Sequence, residues 1–390
     1  MTLSGYILHH LFLSTYTIVE ELGSGGFGFV VKAVHNVSGR EAAVKFVVKE
    51  RVTRSGWIKR DERKVPMEAY LLRKLRHPGI VEFIDLFEDD VYFYLVMEYH
   101  GSPWTAKSKH ENGATSPPSL PLLAASPNSS PKKPQPQPQH QEQPFFGSSF
   151  VDYAVPPTSP NGTTQYSYDA MPSSPPPVKD GATLLGIPRP PLATLRRSSC
   201  DLFECIEQHQ MLDEARARLI FRQIVDVLCY LQELGVCHRD IKDENIVVDD
   251  EFNVKLIDFG SAVIFEPKKG SPYFNRFYGT TNFASAEIMR GEPYQAPPAE
   301  VWSLGVLLSI LLNGETPFAS AAHIQYGRMC QPRATLSREA LDLMQGCLTV
   351  DIEKRLTVWQ IRDHPWLKER EPLSTPRLGM TTPGTKSKFI

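Results

Sequence analysis

A chain of 390 residues with 42 Lys and Arg against 44 Asp and Glu has a formal net charge of −2 and a pI near 6.6. That balance excludes a protein built mainly to bind nucleic acid or an anionic membrane surface. Hydrophobic residues make up 41% and charged residues 22%, as in globular chains, but 33 prolines are too many for one uniform fold. About 20 of them fall between Gly101 and Cys200, in a stretch poor in charge and rich in Ser, Gln and Pro runs. At roughly 100 to 200 residues per domain, length alone predicts two or three units.

The apolar patch from Tyr6 to Leu13 is interrupted by His9 and His10 and lacks a basic lead-in. It falls short of the roughly 20 apolar residues of a membrane span, so we read it as an ordered edge or strand and expect a cytosolic or nuclear protein. From Tyr16 the pattern reads strand to Leu22, a glycine turn over Gly23-Ser24-Gly25-Gly26-Phe27-Gly28, and a second strand from Phe29 to Val34. Ala42 to Val48 is a third β-rich run. Lys64 to Leu75 has helical spacing with Met67, Leu71, Leu72 and Leu75 on one face. Val81 to Phe87 and Tyr92 to Tyr99 are two further strands.

Past Cys200 the signal turns helical, over Asp201 to Glu207, Asp213 to Gly235, Pro298 to Asn313 and Ser337 to Leu348. Only Ile246 to Val248 and Val254 to Ile257 read as short strands there. The six cysteines show no CxxC spacing and are expected to be reduced, structural thiols. The class is α+β, with a small β-rich lobe before a large helical lobe and a ligand cleft between them.

The proline-rich stretch separates the lobes. Runs such as Pro134-Gln135-Pro136-Gln137-Pro138 and Pro175-Pro176-Pro177 cannot form ladders or bury a core, so a disordered insert is expected over 103–198. Closing a loop of about 96 residues rather than about 6 costs roughly 2.4 kcal/mol, which a domain stable by about 5 to 15 kcal/mol can absorb. The expected organisation is thus an N-lobe and hinge over 15–102, the insert, a C-lobe over 199–367 and a flexible tail over 368–390.

A G-x-G-x-x-G run is weak alone, and its common alternative joins a strand to a dinucleotide-binding helix. Here the glycines join two strands, and Ala42-Ala43-Val44-Lys45 follows. Further on, His238-Arg239-Asp240-Ile241-Lys242-Asp243-Glu244-Asn245 fits H-R-D-x-K-x-x-N, and Asp258-Phe259-Gly260 begins 13 residues after Asn245. Taken together these segments resemble a protein kinase, a bilobal fold.

The resemblance implies ATP and Mg²⁺ as cofactors. It places Leu22, Gly23, Gly25, Gly28, Val30, Ala43, Lys45, the gatekeeper Met97 and the hinge residue Glu98 around the nucleotide. Glu68 would pair with Lys45; the alternative for Glu68 is a solvated helix charge. Asp240 would orient the substrate hydroxyl, Lys242 steady the γ-phosphate, and Asn245 with Asp258 hold the metal. Asp201 aligns with the family's ribose contact and reads equally as a helix N-cap. Lys242 and Thr280 follow the serine/threonine pattern, and Glu244 matches a carboxylate that basic-directed kinases use, so arginine three residues before the acceptor is expected.

The resemblance is closest to PAS-domain kinases. It rests on LGSGGFGFV from Leu22 to Val30, Trp57-Ile58, His100-Gly101, Asp201-Leu202-Phe203 and HRDIKDENIVVDDEFNVKLIDFGS from His238 to Ser261. Fungal members of that family often carry a long insert after the hinge. Membership implies a nutrient-responsive serine/threonine kinase acting on enzymes of sugar storage and on translation factors. No segment before Thr15 is long enough for a sensory PAS domain, so either a truncated product or a member without its sensor is expected.

Three departures stand out. Ser285-Ala286-Glu287 replaces Ala-Pro-Glu, with Glu287 still expected to pair with Arg355. Glu300 replaces an aspartate. Arg276 stands where many kinases carry an activating phosphothreonine, whose phosphate would pair with Arg239; an arginine cannot. Activity is therefore expected without phosphorylation there, with Ser271 left as an acceptor in the segment.

The insert's Ser-Pro sites (Ser116, Ser126, Ser130, Ser159, Ser174) and Arg196-Arg197-Ser198-Ser199 read as control sites or as plain linker. Its proline runs also fit SH3 or WW modules, or Pro-directed kinases. A monomer that binds protein substrates, without nucleic acid or membrane, is the expected form. The rival function, a pseudokinase scaffold, predicts loss of Lys45, Asp240 or Asp258, and all three are present.

Overall fold

Side-chain alternation along the strands gives the N-terminal sheet two distinct faces. The computed structural model describes residues 2–3, 6–26, 28–60, 63–102, 200–209 and 212–368. Five antiparallel strands run β1 (Tyr16–Gly25), β2 (Gly28–His35), β3 (Glu41–Val48), β4 (Phe83–Glu88) and β5 (Tyr92–Glu98). Their order across the sheet is β1-β2-β3-β5-β4. On β3, Ala42, Val44 and Phe46 point to one side, and on β5 so do Tyr92, Tyr94 and Val96. The opposite side carries Ala43 across from Met97 and Lys45 across from Leu95. The pleat therefore puts Lys45 and Met97 on one surface, which faces the second lobe.

The outer face is covered by the chain's own start. The expected strand over Tyr6 to Leu13 is only half a strand: Tyr6–Ile7 is extended, and His10–Thr15 is a helix. Phe12 is fully buried there among Tyr16, Phe46, Phe87 and Tyr94, with ring centroids 5.0 to 5.9 Å away. Stacked, edge and tilted ring contacts of this kind add about 0.5–1.5 kcal/mol per pair beyond area burial. Leu8 is buried just before the helix and Phe12 within it, a four-residue interval that the interrupting histidines obscured.

The helix expected from Lys64 begins later, as α1 (Met67–Lys74). Residues Arg63–Pro66 instead pair with Trp57–Arg60 in a small hairpin. Pro66 explains the shift: its ring disfavours helical geometry at Val65, while a proline just before a helix costs nothing. Glu68 then falls in the first turn, where the helix dipole favours a carboxylate. Leu71 and Leu72 are fully buried beneath it.

The second lobe is built on α2 (Leu202–His209), α3 (Glu214–Glu233), α4 (Ala296–Asn313) and α5 (Arg338–Cys347). Asp213 caps α3 by accepting from the Arg216 N–H at 2.8 Å. Glu214 receives Ser337 N–H, Ser337 O–H and Trp366 Nε1–H at 2.6, 2.8 and 3.0 Å, which fastens the start of α3 to the start of α5. Helix α4 is apolar nearly all round because it is the centre of the lobe, with Trp302 and Leu304 fully buried. It starts two residues before the expected Pro298, since the prolines sit in a first turn that needs no amide donors.

The two expected short strands are present as Ile246–Val248 and Val254–Leu256, the second ending one residue early, and they pair antiparallel. Four short helices, Ala286–Met289, Ala321–Tyr326, Val358–Arg362 and Pro365–Lys368, have too few turns to show a periodicity. The expected insert with its Ser-Pro sites and Arg196-Arg197-Ser198-Ser199, and the tail beyond Lys368, lie outside the described residues.

Candidate active site

The glycine run forms the end of the β1–β2 hairpin, with Gly25 opposite Gly28 and Gly23 opposite Val30. The glycines are there for different reasons. A Cβ on Gly28 would lie 1.8 Å from the carbonyl oxygen of Phe46, so the neighbouring strand itself demands glycine. A Cβ on Gly23 or Gly25 would meet nothing within 4 Å. Internal packing leaves those two open, which fits a backbone that another molecule must approach closely. Leu22, Val30 and Ala43 are partly exposed beside this opening.

Beneath it, Lys45 Nζ donates to both oxygens of Glu68 at 2.9 and 2.8 Å and to Asp258 Oδ1 at 2.8 Å. Lys45 and Glu68 are 8% and 5% exposed, so Glu68 is no solvated helix charge. One ammonium faces two carboxylates. Burial works against the charge on Lys45, but Asp258 and Glu68 outweigh it and raise its pKa. Burial also opposes charge on Asp258, where Lys45 prevails and lowers the pKa. Glu68 is the loser of the three, with burial pushing it up to about 7 against the pull of Lys45.

Asp240 lies on the turn after strand Val236–Cys237. Its Oδ1 accepts from Thr280 N–H and Thr280 Oγ1–H, both at 3.0 Å, and its Oδ2 from Asn245 Nδ2 at 2.9 Å. Asn245 Nδ2 also reaches the Asp240 carbonyl at 2.8 Å. Lys242 Nζ donates to Thr280 Oγ1 at 3.1 Å, stands 3.7 Å from Asp240 Oδ2, and pairs with Glu244 Oε2 at 2.9 Å. A carboxylate held on both oxygens keeps one orientation, which suits a group that must receive or direct a proton.

Two non-glycine residues here are left-handed, Arg239 at φ 65° and Asp258 at φ 62°. Such conformations cost on the order of 1–3 kcal/mol and persist only when surroundings impose them. Glu300, on the central helix α4, supplies that constraint at Arg239. Its Oε1 accepts from the backbone N–H groups of His238 and Arg239 at 2.7 and 3.1 Å. His238 in turn binds the Ile257 carbonyl at 2.9 Å and meets the Phe259 ring edge-on at 4.8 Å, linking the two motif segments.

The segment from Asp258 to Glu287 closes the site. Glu287 and Arg355 form the expected pair, at 2.9 and 2.8 Å, wholly buried. Arg276 is exposed, and its carbonyl accepts from the Tyr294 hydroxyl at 3.1 Å. Arg239 does not await a phosphate: its Nε donates to the Ser261 carbonyl at 2.7 Å, and its guanidinium lies over the rings of Phe274 and Tyr278 at 5.2 and 5.7 Å.

A family model of the protein kinase domain matches residues 16–118 and 195–367. The chain belongs to the protein kinase family. Similar curated kinases include the mouse PAS domain-containing serine/threonine-protein kinase, 30% identical over 355 residues, or 91% of this chain and 18% of that protein. The serine/threonine-protein kinase PSK2 of Saccharomyces cerevisiae is 27% identical over 362 residues, 91% of this chain and 24% of its own. Another, ppk6 of Schizosaccharomyces pombe, is 26% identical over 371 residues, 94% of this chain and 35% of its own. This kinase therefore spans about a fifth to a third of the length of these relatives.

The hinge of the kinase follows β5. Met97 is buried, and the Glu98 side chain turns to the Glu82 N–H at 3.1 Å and to Lys255 Nζ at 2.8 Å, which ties the hinge to the second lobe. Asp201 does cap α2, accepting from Glu204 N–H at 2.8 Å. Sequence reading missed the Lys255–Glu98 tie, the Lys45–Asp258 bond and the Lys242–Glu244 pair. Only the last had a signal, the i, i+2 charges, and it was spent on the individual roles.

ATP and a divalent metal fit these residues. Both amide hydrogens of Asn245 are spent on Asp240, which leaves Oδ1 as its free acceptor. The Lys45 and Gly260 bonds to Asp258 both fall on Oδ1. Among the described residues, no three His, Cys, Asp or Glu side chains form a metal site of their own. Two hard oxygen donors without a closed protein cage suit a small cation that arrives with phosphates.

Proposed function

We propose that this kinase transfers the γ-phosphate of ATP to serine and threonine hydroxyls of protein substrates. The observation that carries the reading is Asp240, whose carboxylate is held by Asn245 and Thr280 while Lys242 stands beside it. Asp240 orients the acceptor hydroxyl and takes up its proton. Thr280 fixes the Asp240 carboxylate from the substrate side, Lys242 offers a cation where charge is transferred, and Lys45 holds the α and β phosphates. Phosphoryl transfer through a loose transition state needs such positioning and charge more than covalent help. Mg²⁺ is the cation we assign to Asn245 and Asp258, where it would neutralise phosphate charge.

Glu244, exposed and paired with Lys242, supports recognition of an arginine three residues before the acceptor. A role in nutrient signalling, sugar storage and translation rests on the PAS-kinase resemblance alone, and binding of SH3 or WW modules rests on the proline runs of the insert. The pseudokinase reading is disfavoured by the intact Lys45–Glu68–Asp258 cluster.

The test is phosphate transfer to arginine-containing peptides by wild type and Asp240→Asn. Removing a positioned base costs about 10² to 10⁴ in rate. Equal rates in two equally folded proteins overturn the assignment of Asp240.

A further inference from the structure

Lys242 and Glu244 are assigned to opposite ends of the reaction, one to the γ-phosphate and one to a substrate arginine, yet here they hold each other at 2.9 Å. The contact follows from local geometry. Residues Asp243–Asn245 form a single 3₁₀ turn, and the Asp243 carboxylate accepts the Glu244 N–H at 3.1 Å, so Glu244 is turned back over Lys242. Among the described residues, Lys242 is the one cation within ion-pair distance of Glu244.

The pair is asymmetric. The Lys242 side chain is 17% exposed, while Glu244 is 56% exposed and opens toward solvent. Lys242 also reaches Thr280 Oγ1 at 3.1 Å and stands 3.7 Å from Asp240 Oδ2, so its ammonium has acceptors on the catalytic side to move among. Burial alone would lower its pKa, but Asp240 and Glu244 outweigh that and keep it protonated. A triphosphate brings several negative charges to the Asp240 side, and an ammonium with three donors follows the denser charge.

We infer that Lys242 acts as a partner-exchange element, shielding Glu244 until nucleotide draws its ammonium away and frees the carboxylate for a substrate arginine. The inference rests on the reading of Glu244 as the arginine contact. It makes arginine selectivity a property of the nucleotide-bound enzyme. By linkage, an arginine-bearing peptide strengthens nucleotide binding by the same factor. A peptide with alanine in that place feels no such coupling, because it does not use Glu244.

The experiment is peptide binding, read by fluorescence anisotropy on the full 390-residue chain. Two labelled peptides differing only by Arg or Ala three residues before the acceptor are titrated with and without a non-hydrolysable ATP analogue and Mg²⁺. Comparing their affinity ratio cancels any effect of nucleotide on both peptides. The expected result is a ratio that rises about 5-fold or more with nucleotide, the lower end of ordinary coupling between sites. Lys242→Met should show the raised ratio without nucleotide and no further rise. Glu244→Gln should bind the two peptides alike in both conditions.

The failures are separable. Equal binding of the two peptides by wild type in both conditions overturns the arginine reading of Glu244 itself. A preference for arginine that is the same with and without nucleotide, and unchanged in Lys242→Met, leaves that reading intact and overturns the exchange.

Discussion

The Arg355 guanidinium and the Glu287 carboxylate meet through two hydrogen bonds of 2.9 and 2.8 Å, with side-chain exposures of 0% and 1%. Arg355 further donates to the Thr349 and Pro298 carbonyls at 2.9 and 2.8 Å and lies over Trp302. Removing one partner leaves a buried charge uncompensated. Arg355→Ala should therefore lose about 3–5 kcal/mol in urea unfolding, and a loss below about 1 kcal/mol would contradict this account. Burial opposes charge on Glu287 but Arg355 prevails and lowers its pKa, so the pair's stabilisation is present above the ordinary carboxylate range and fades as pH falls through the lowered value.

Glu300 behaves in the opposite sense. Its Oε1 serves two backbone donors, while Oε2 is buried beside the Cys237 thiol, a weak donor at best. Burial pushes its carboxyl up from 4.5 to about 7, against the pull of the Arg239 and His238 amides. The folded state thus keeps a proton that the unfolded state sheds, and this group weakens folding as pH rises from about 4.5 to about 7. Glu300→Gln keeps the acceptor and removes the titration. Between pH 5 and 8 it should lose less stability than wild type, by on the order of 1–3 kcal/mol. Parallel curves from urea unfolding at four pH values would rule this out; the lowered pKa of His238 acts in the other direction and is common to both proteins.

The glycine hairpin separates folding from binding. Gly28→Ala drives a Cβ into the Phe46 carbonyl and should lower stability by about 1–3 kcal/mol. Gly23→Ala meets open space and should melt as wild type does, yet gain less in melting temperature on adding ATP. Identical melting of the two variants without nucleotide would refute the distinction.

The environment of Arg239 bears on activation. Its guanidinium lies over Phe274 and Tyr278 and is bonded to the Ser261 carbonyl, so Arg239 has partners within the segment that do not depend on a phosphate at position 276. Protein produced in bacteria, and shown by mass spectrometry to be unphosphorylated between Asp258 and Glu287, should turn over peptide substrate. Complete inactivity of that protein would refute this.

Much of the site was legible because its residues occur in short, dense motifs. The run from His238 to Asn245, Asp258-Phe259-Gly260 and the Gly-rich hairpin before Lys45 each place a reactive group within a few residues of its backbone support. The Glu68 pairing was legible at longer range because the buried Lys45 ammonium requires a partner of opposite sign, whereas the Glu287–Arg355 pairing was legible only through the kinase resemblance. The start of α1 was misread because the apolar face beginning at Met67 does not by itself mark where the helix begins, whereas Pro66 sets the boundary by its own ring. The N-terminal helix was hidden by two histidines at its start.

Sequence by itself determined the chemistry of this protein: the reacting groups, their order, and the proline-rich stretch that divides the two matched parts of the kinase domain. Tertiary structure alone decided how the charges share partners. Lys45 stands between two carboxylates, Glu244 is held by Lys242, and Arg239 is held by aromatic rings. These choices are absent from the linear pattern because each compares several acceptors or rings within a few ångströms, brought together by strands and helices up to 213 residues apart. Burial and distance in the folded chain settle which contact prevails.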